Sequence, residues 1–285
     1  MSEVASTLIP LFGLLFVVGS MLAMGLSLTV QMIARQLKNP KTVALALLSN
    51  FVVMPAVTIA LLYVLSLQED IAIAFVVLSL AAGAPFLPKL AQFAKADIAY
   101  AVGLMTLLMV ATVVILPIFL PLLISGVTIN PWDIVKPLLL LLLLPLGIGL
   151  LIGQRYEDFA KSSAKLLNTV TTVSLLALLF LFFIAYWNEI LSTFGTGAIL
   201  FSVVFIAIAL VAGYLISPSA GARRVSSLGT AQRNISVGIL VAAVNFADKP
   251  LVGVTVLIVS LVGLVFLMVT SGEWGRKTSK QTSRG

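Results

Sequence analysis

A succession of long apolar runs constrains this chain more than any other feature. Runs of the length that a bilayer-spanning helix requires, about 20 residues, lie near 8–30, 41–66, 71–95, 97–124, 132–153, 165–188, 197–217, 227–247 and 250–271. Only 9% of the residues are charged, whereas soluble globular proteins have about 25%. The sequence therefore predicts an all-α polytopic membrane protein of about nine transmembrane helices, with residues 1–285 forming a single transmembrane domain.

The chain contains neither histidine nor cysteine. Disulfides, thiolate or imidazole metal sites and histidine-activated nucleophiles are therefore excluded. The acidic residues fall in, or at the edges of, the polar connections, so no catalytic carboxylate is expected at membrane depth. We expect no enzyme, no cofactor and no metal centre.

The distribution of basic residues predicts the orientation in the membrane. With the N-terminus outside, the outer connections contain only Lys136 and Lys249. The cytoplasmic side then receives Arg35, Lys38, Lys41, Lys95, Arg155, Lys161, Lys165, Arg223, Arg224, Arg276, Lys277, Lys280 and Arg284, the last four in a basic tail at 272–285. This asymmetry follows the positive-inside rule, and it explains the net charge of +7 without a nucleic-acid partner.

The first apolar run is too long for a signal-peptide core and has no small-residue cleavage site after it. We therefore expect a multi-pass protein of a bacterial-type inner (plasma) membrane, with its N-terminus outside and its C-terminus cytoplasmic. Its expected partners are membrane lipid and a small-molecule substrate, and the oligomeric state stays open.

Two of the apolar runs look interrupted, and these two contain the only charged side chains that lie deep within any run, Lys89 and Arg233. A cation at the centre of a membrane helix costs on the order of 3 kcal/mol on insertion scales. The residues that interrupt the runs are Gly83, Pro85, Pro88 and Gly229. Two purely structural alternatives stay open. Lys89 could snorkel towards the cytoplasm, and Arg233 could cap carbonyls freed by the break.

The interruptions fall at matching places in an inverted repeat. The segment 8–124 supplies four helices, broken near 83–89, and the segment 132–271 supplies five, broken near 229–234, of which the first is a bridge. Interrupted helices at corresponding positions point to a substrate site near the midplane. Burial and a half-helix N-terminus would both disfavour the charged form of Lys89, so Lys89 could couple transport to protons, whereas Arg233 would stay charged.

The chain resembles the bile acid:sodium symporter (BASS) family along nearly its whole length. The stretches that carry the resemblance are Met24–Thr29, Lys38–Lys41, Asn50-Phe51, Met54-Pro55, Phe93–Ala99 and Arg233-Asn234, where family members typically have Gln-Asn. The resemblance implies a core domain with two crossing discontinuous helices and a panel domain. The family's ten-helix design would be reduced here to nine by the lack of a first helix.

Departures from the family pattern concern its sodium sites. The resemblance puts Leu87, Pro88, Ala101, Met105, Gly229 and Arg233 at positions where sodium-coupled members have oxygen-bearing side chains, and Asn50 where they have another Gln. A hard cation prefers about six oxygen ligands, so the first sodium site looks dismantled. We hypothesise that the charges of Lys89 and Arg233 replace those of the sodium ions.

These observations together predict an alternating-access transporter of a small or amphipathic organic anion. The candidate substrate-binding residues are Lys89, Arg233, Asn50, Thr230, Gln232, Asn234 and Met105. Two alternatives stay open. One is an ordinary sodium-coupled symporter that uses backbone and amide ligands at Asn50, Thr230, Gln232 and Asn234. The other is a passive anion channel or exchanger.

Overall fold

Helices account for nearly all of the residues that the computed structural model describes, 3–31, 39–124 and 131–282, and no strand occurs among them. The first half contains α1 (Glu3–Ser27), α2 (Pro40–Leu65), α3 (Glu69–Leu80), α4 (Leu87–Phe93) and α5 (Ile98–Leu123). The second half contains α6 (Trp132–Arg155), α7 (Glu157–Ala185), α8 (Trp187–Thr193), α9 (Ala198–Leu215), α10 (Arg223–Ala231), α11 (Ile235–Asn245) and α12 (Pro250–Thr282). The basic residues Arg35, Lys38 and Arg284, used above to predict the orientation, lie outside the described residues.

Seven of these helices are long and apolar enough to cross a membrane: α1, α2, α5, α6, α7, α9 and α12. The prediction of an all-helical membrane protein is confirmed at this level. The two remaining apolar runs are each divided into two shorter helices. The run 71–95 is divided between α3 and α4, and the run 227–247 contains the end of α10 and all of α11.

Both α2 and α6 contain a π turn just ahead of a proline. The π turns are Ser49–Val53 and Leu139–Leu143, and the prolines that follow are Pro55 and Pro145. Proline has no N–H to donate and its ring displaces the carbonyl four residues earlier, which disturbs the regular hydrogen-bond ladder. In α2 the π turn contains Asn50, which is buried.

The helices pack in two groups. The helix α1 lies against α6 and α7, whereas α12 contacts α3, α4, α9 and α11, and α9 packs against α10. Both divided runs belong to the second group. The breaks are therefore surrounded by protein on several sides, which an irregular backbone at membrane depth requires.

The long helix α12 is fastened at both ends to the divided runs. Just before it, Lys249 Nζ lies 2.5 Å from Glu69 Oε1 at the start of α3, and this hydrogen bond raises the pKa of Lys249. Near its other end, the Thr278 hydroxyl accepts a hydrogen bond from Arg224 Nη1 (2.5 Å), which also donates to the Ala94 carbonyl beyond α4 (3.2 Å). These contacts hold both divided runs against α12.

Candidate functional site

The two helix breaks lie in direct contact. The backbone N–H of Asn234 donates to the Ala81 carbonyl (2.8 Å), and Asn234 Nδ2 donates to the Gly83 carbonyl (3.0 Å). Arg233 Nη1 donates to the Ser79 carbonyl (3.2 Å). The second break therefore satisfies carbonyls that the end of α3 leaves without intrahelical partners, which low-dielectric surroundings make necessary.

The first break, residues 81–86, is held by close backbone packing and one hydroxyl. Gly83 has φ +77°, a conformation that favours glycine, and a Cβ there would collide with the Met109 backbone nitrogen. The Thr112 hydroxyl accepts from the Ala82 N–H (3.1 Å) and donates to the Ala82 carbonyl (3.1 Å). The backbone of this break is thus hydrogen-bonded to α5 and packed against it.

The second break consists of three polar residues, Gln232, Arg233 and Asn234. Gln232 still donates its N–H to the Leu228 carbonyl of α10 (2.9 Å). Asn234 is the N-cap of α11, and its Oδ1 accepts from the Val237 N–H (3.3 Å), an arrangement that satisfies a free helix donor. Since its amide is used in this way and in the bond to the first break, Asn234 has a structural role here.

A cavity of about 860 Å³ lies between the breaks and the helices α1, α5, α7, α9 and α12. Of the predicted substrate-binding residues, Lys89, Arg233, Gln232 and Met105 line it. Most of its wall is apolar, and the charged residues among those that line it are Lys89 and Arg233, with no Asp or Glu in the described lining. The cavity is therefore cationic, and α1 and α7 supply part of its wall.

Arg233 is buried at the edge of this cavity, with only 8% of its surface exposed. Its guanidinium carbon lies 5.7 Å from the centroid of the Phe205 ring, in the range of a cation–π contact. Its Nη1 is bonded to Ser79, but Nε and Nη2 have no hydrogen-bond partner among the described residues. An arginine whose donors are buried and unpaired is costly, so the site is incomplete without a ligand or water.

Lys89 is exposed within the cavity rather than buried. It follows Pro88 in the first turn of α4, and its Nζ lies 5.4 Å from the centroid of the Phe93 ring. The expectation that Lys89 is a buried cation is therefore wrong, because the residue is exposed and lines the cavity. Burial was one of two reasons given for proton coupling through Lys89, and the other, its place in the first turn of a half-helix, remains, so proton coupling stays a prediction. Pro85 lies in the break and also lines the cavity.

Asn50 and Thr230 form a separate cluster away from the cavity lining. Asn50 Nδ2 lies 3.3 Å from Thr230 Oγ1 and 3.1 Å from Ser49 Oγ, and Ser49 Oγ lies 3.3 Å from Thr230 Oγ1. All three residues are buried. Asn50 Oδ1 has no hydrogen-bond partner among the described residues. The predicted site thus divides into a cavity set and this small polar cluster.

Gly229 lies where leucine side chains fill the available space. A Cβ at this position would approach Leu104 Cδ2 to 2.8 Å and Leu87 Cδ2 to 3.0 Å. The resemblance had put one of the sodium-site side chains of the family at Gly229, and here its surroundings are apolar. No group of three or more acidic residues that could hold a metal ion occurs in the described part of the chain.

Sequence reasoning missed three residues that shape the site. Ser236 lines the cavity, and its Oγ is buried without a partner. Phe205 lies beside Arg233, and Thr112 holds the first break. The position of Ser236, two residues after Asn234, could have identified it as part of the first turn of α11. The other two come from distant helices and give no local signal.

Comparisons with known proteins identify the family of this chain. The sequence model of the family described as "Sodium Bile acid symporter family" matches residues 12–196, which include the first break but end before the second. The curated "Probable sodium/metabolite cotransporter BASS3, chloroplastic" of Arabidopsis thaliana is 27% identical over 213 residues, 72% of this chain and 48% of that protein. The chain thus spans about half the length of this curated relative. Since the family match covers well over half of the chain, we conclude that it belongs to the sodium bile acid symporter family.

Proposed function

We propose that this protein is a secondary-active, alternating-access transporter of an organic anion, with Arg233 supplying a fixed positive charge in its substrate site. One observation carries the proposal: a buried, incompletely bonded arginine lines a cavity that contains two basic and no acidic residues among those described. An intramembrane charge facing a cavity is a functional group by default. An anion is the ligand that offsets the charge of this cavity.

The comparisons support transport as the activity. The matching family is described as a symporter family, and the curated relative is named a probable sodium/metabolite cotransporter. We extend the activity to this chain but not the sodium coupling. The apolar surroundings of Gly229 and the fixed charge of Arg233 favour an anion site that works without sodium.

We further propose nine membrane spans arranged as an inverted repeat, with the N-terminus outside. The seven continuous helices would be joined by the two divided runs, α3–α4 and α10–α11, which cross at the substrate site as in other transporters with discontinuous helices. The helices α1, α6 and α7 would form the panel, and the other group the core.

The absence of native cysteine allows a clean test of this topology. The test uses two variants, Ser66→Cys and Ser219→Cys. With nine spans, the connection that contains Ser66 lies outside and the connection that contains Ser219 lies inside. Labelling of both by an impermeant maleimide from the same side of intact cells would contradict the proposed topology.

The transport proposal is tested in two steps. A thermal-shift screen of organic anions, with and without sodium, selects an anion that stabilises the purified protein. Uptake of that anion into proteoliposomes is then measured with an imposed sodium gradient, an imposed proton gradient, or neither. We expect uptake without sodium, and strict sodium dependence would overturn the charge-replacement mechanism. Wild-type uptake by Lys89→Ala would remove Lys89 from it.

A second candidate, a sodium-coupled symporter, is favoured by the cluster of Ser49, Asn50 and Thr230. Its oxygens are buried together, and Asn50 Oδ1 is unpartnered, which makes this cluster a partial set of ligands for a hard cation. Thermal stabilisation by sodium, but not by potassium, that is lost in Asn50→Leu would establish this function instead.

A further inference from the structure

The unpartnered donors of Arg233 lie on one edge of its guanidinium. Nε–H and one N–H of Nη2 point in nearly the same direction, and together they form the side-on fork of arginine. Both are buried without a partner, whereas Nη1, on the other side of the group, is bonded to the Ser79 carbonyl. The bond through Nη1 and the Phe205 ring limit rotation of the guanidinium. These contacts restrain the free edge, and because its two atoms are buried, a ligand in the cavity reaches them after a small shift of the side chain.

We propose that this free edge binds the carboxylate of the substrate side-on, through two parallel N–H···O bonds. The inference rests on the proposed function and names the group that the anion site recognises. Two oxygens of a carboxylate match the spacing of the arginine fork, and such bidentate pairs are stronger and more directional than single charge contacts. A spherical anion such as chloride cannot occupy both donors with the same geometry.

Ser236 supplies a further donor for the same carboxylate. It lies three residues after Arg233 in the first turn of α11, lines the same cavity, is 1% exposed and has an unpartnered Oγ. Buried polar atoms are almost always hydrogen-bonded in native proteins. The unpartnered donors of Arg233 and Ser236 therefore favour a ligand with acceptor oxygens at this end of the cavity, where Gln232 Oε1, an acceptor, is also without a partner among the described residues.

The remaining hydroxyl groups of the cavity wall are already engaged. All five donate to carbonyls of their own helices, at 2.5, 2.9, 3.1, 2.7 and 2.6 Å for Ser20, Ser27, Thr171, Thr172 and Ser260. These bonds leave Ser236, at the second break, as the hydroxyl of the described lining that is free to donate to the carboxylate. The apolar part of the substrate then faces α1, α7 and α12.

The test measures binding to the purified full-length protein at equilibrium, with no sodium and no gradient. The probes are benzoate, its neutral isostere benzamide, and chloride, each followed by thermal shift and by isothermal titration. We expect benzoate to bind wild-type protein, and benzamide and chloride not to bind. Failure of benzoate to bind at tens of millimolar, or equal stabilisation by chloride, would overturn the proposal without any variant.

Three variants then test how the geometry of the guanidinium, as distinct from its charge, and the Ser236 hydroxyl contribute to benzoate binding. Arg233→Lys keeps the positive charge but has no fork, and we expect its Kd for benzoate to rise by about tenfold or more. For Ser236→Ala we expect a rise of about threefold, since one hydrogen bond is lost. The matched control is Ser260→Ala, whose hydroxyl also reaches the cavity but is bonded within its helix, and we expect no change.

The outcomes distinguish this inference from the transport proposal. Wild-type affinity of Arg233→Lys, together with sodium-independent uptake, would overturn the fork and leave charge replacement standing. Loss of affinity in Arg233→Lys, together with strictly sodium-dependent uptake, would leave the fork standing and overturn charge replacement.

Discussion

The two helix breaks contact each other, yet they satisfy their backbones in different ways. The first break, residues 81–86, contains no polar side chain, and its backbone relies on Thr112 and on the close packing of Gly83. The second consists of Gln232, Arg233 and Asn234. The side chain of Asn234 bonds to Gly83 in the first break and to Val237 in α11, and that of Arg233 bonds to Ser79 at the end of α3. The first arrangement leaves no side-chain donor for a ligand, whereas the second leaves an edge of Arg233 free. Two breaks that contact each other therefore need not share a role equally.

The largest effect is expected from Gly83→Ala, which tests whether the first break is purely structural. The left-handed backbone and the collision with Met109 should together cost about 3 kcal/mol. The melting temperature in detergent measures the loss. Gly147→Ala is the control, because a Cβ there meets nothing within 4 Å. Equal melting temperatures of the two variants would show that the packing of Gly83 does not hold this break.

A smaller loss is expected from Asn234→Ala, which removes the bond between the breaks. The Gly83 carbonyl and the Val237 N–H would both lose a buried partner, which should cost about 2 kcal/mol. Asn245→Ala is the matched control, since the Asn245 amide donates only to the Val241 carbonyl one turn earlier and is partly exposed. If both variants melt together, the amide of Asn234 does not stabilise the crossing of the breaks.

The smallest change in stability, and of opposite sign, is expected from Arg233→Met. Replacing a buried, incompletely paired cation by an apolar side chain of similar length should stabilise the ligand-free protein by about 1 kcal/mol, while benzoate binding is abolished. Lys89→Met, at the exposed cation of the same cavity, should leave the melting temperature unchanged. Destabilisation by Arg233→Met would mean that the bond to Ser79 outweighs the cost of burial.

Local sequence signals were sufficient to predict the interruptions and the cation beside each of them. Glycine and proline act on the backbone at their own positions, and a charged residue in an apolar run is visible without any structure. For this reason Gly83, Pro85, Pro88 and Arg233 could be identified from the sequence. The predicted membrane-spanning length of seven helices followed in the same way from composition.

Contacts between segments that are distant in the sequence could not be predicted from such local signals. Asn50 and Thr230 are 180 residues apart and bond to each other rather than lining the cavity with Arg233. The exposure of Lys89 depends on where α1 and α7 stand relative to α4. That Ser236 Oγ has no hydrogen-bond partner among the described residues depends on how the helices pack. The sequence thus predicted most of the candidate residues but not their division into two clusters.

A positive charge that belongs to the protein has a thermodynamic consequence for the direction of transport. A sodium ion that enters with the substrate is left behind and dissipates its gradient, whereas the guanidinium of Arg233 returns with the empty carrier. Arg233 would therefore contribute affinity but no driving force. For a carried monoanion, an inside-negative membrane potential favours exit by about 2.3 kcal/mol per 100 mV. In the mechanism proposed above, the membrane potential drives the monoanion outwards. The protein then operates as an exporter until the opposing concentration gradient of the substrate balances the potential.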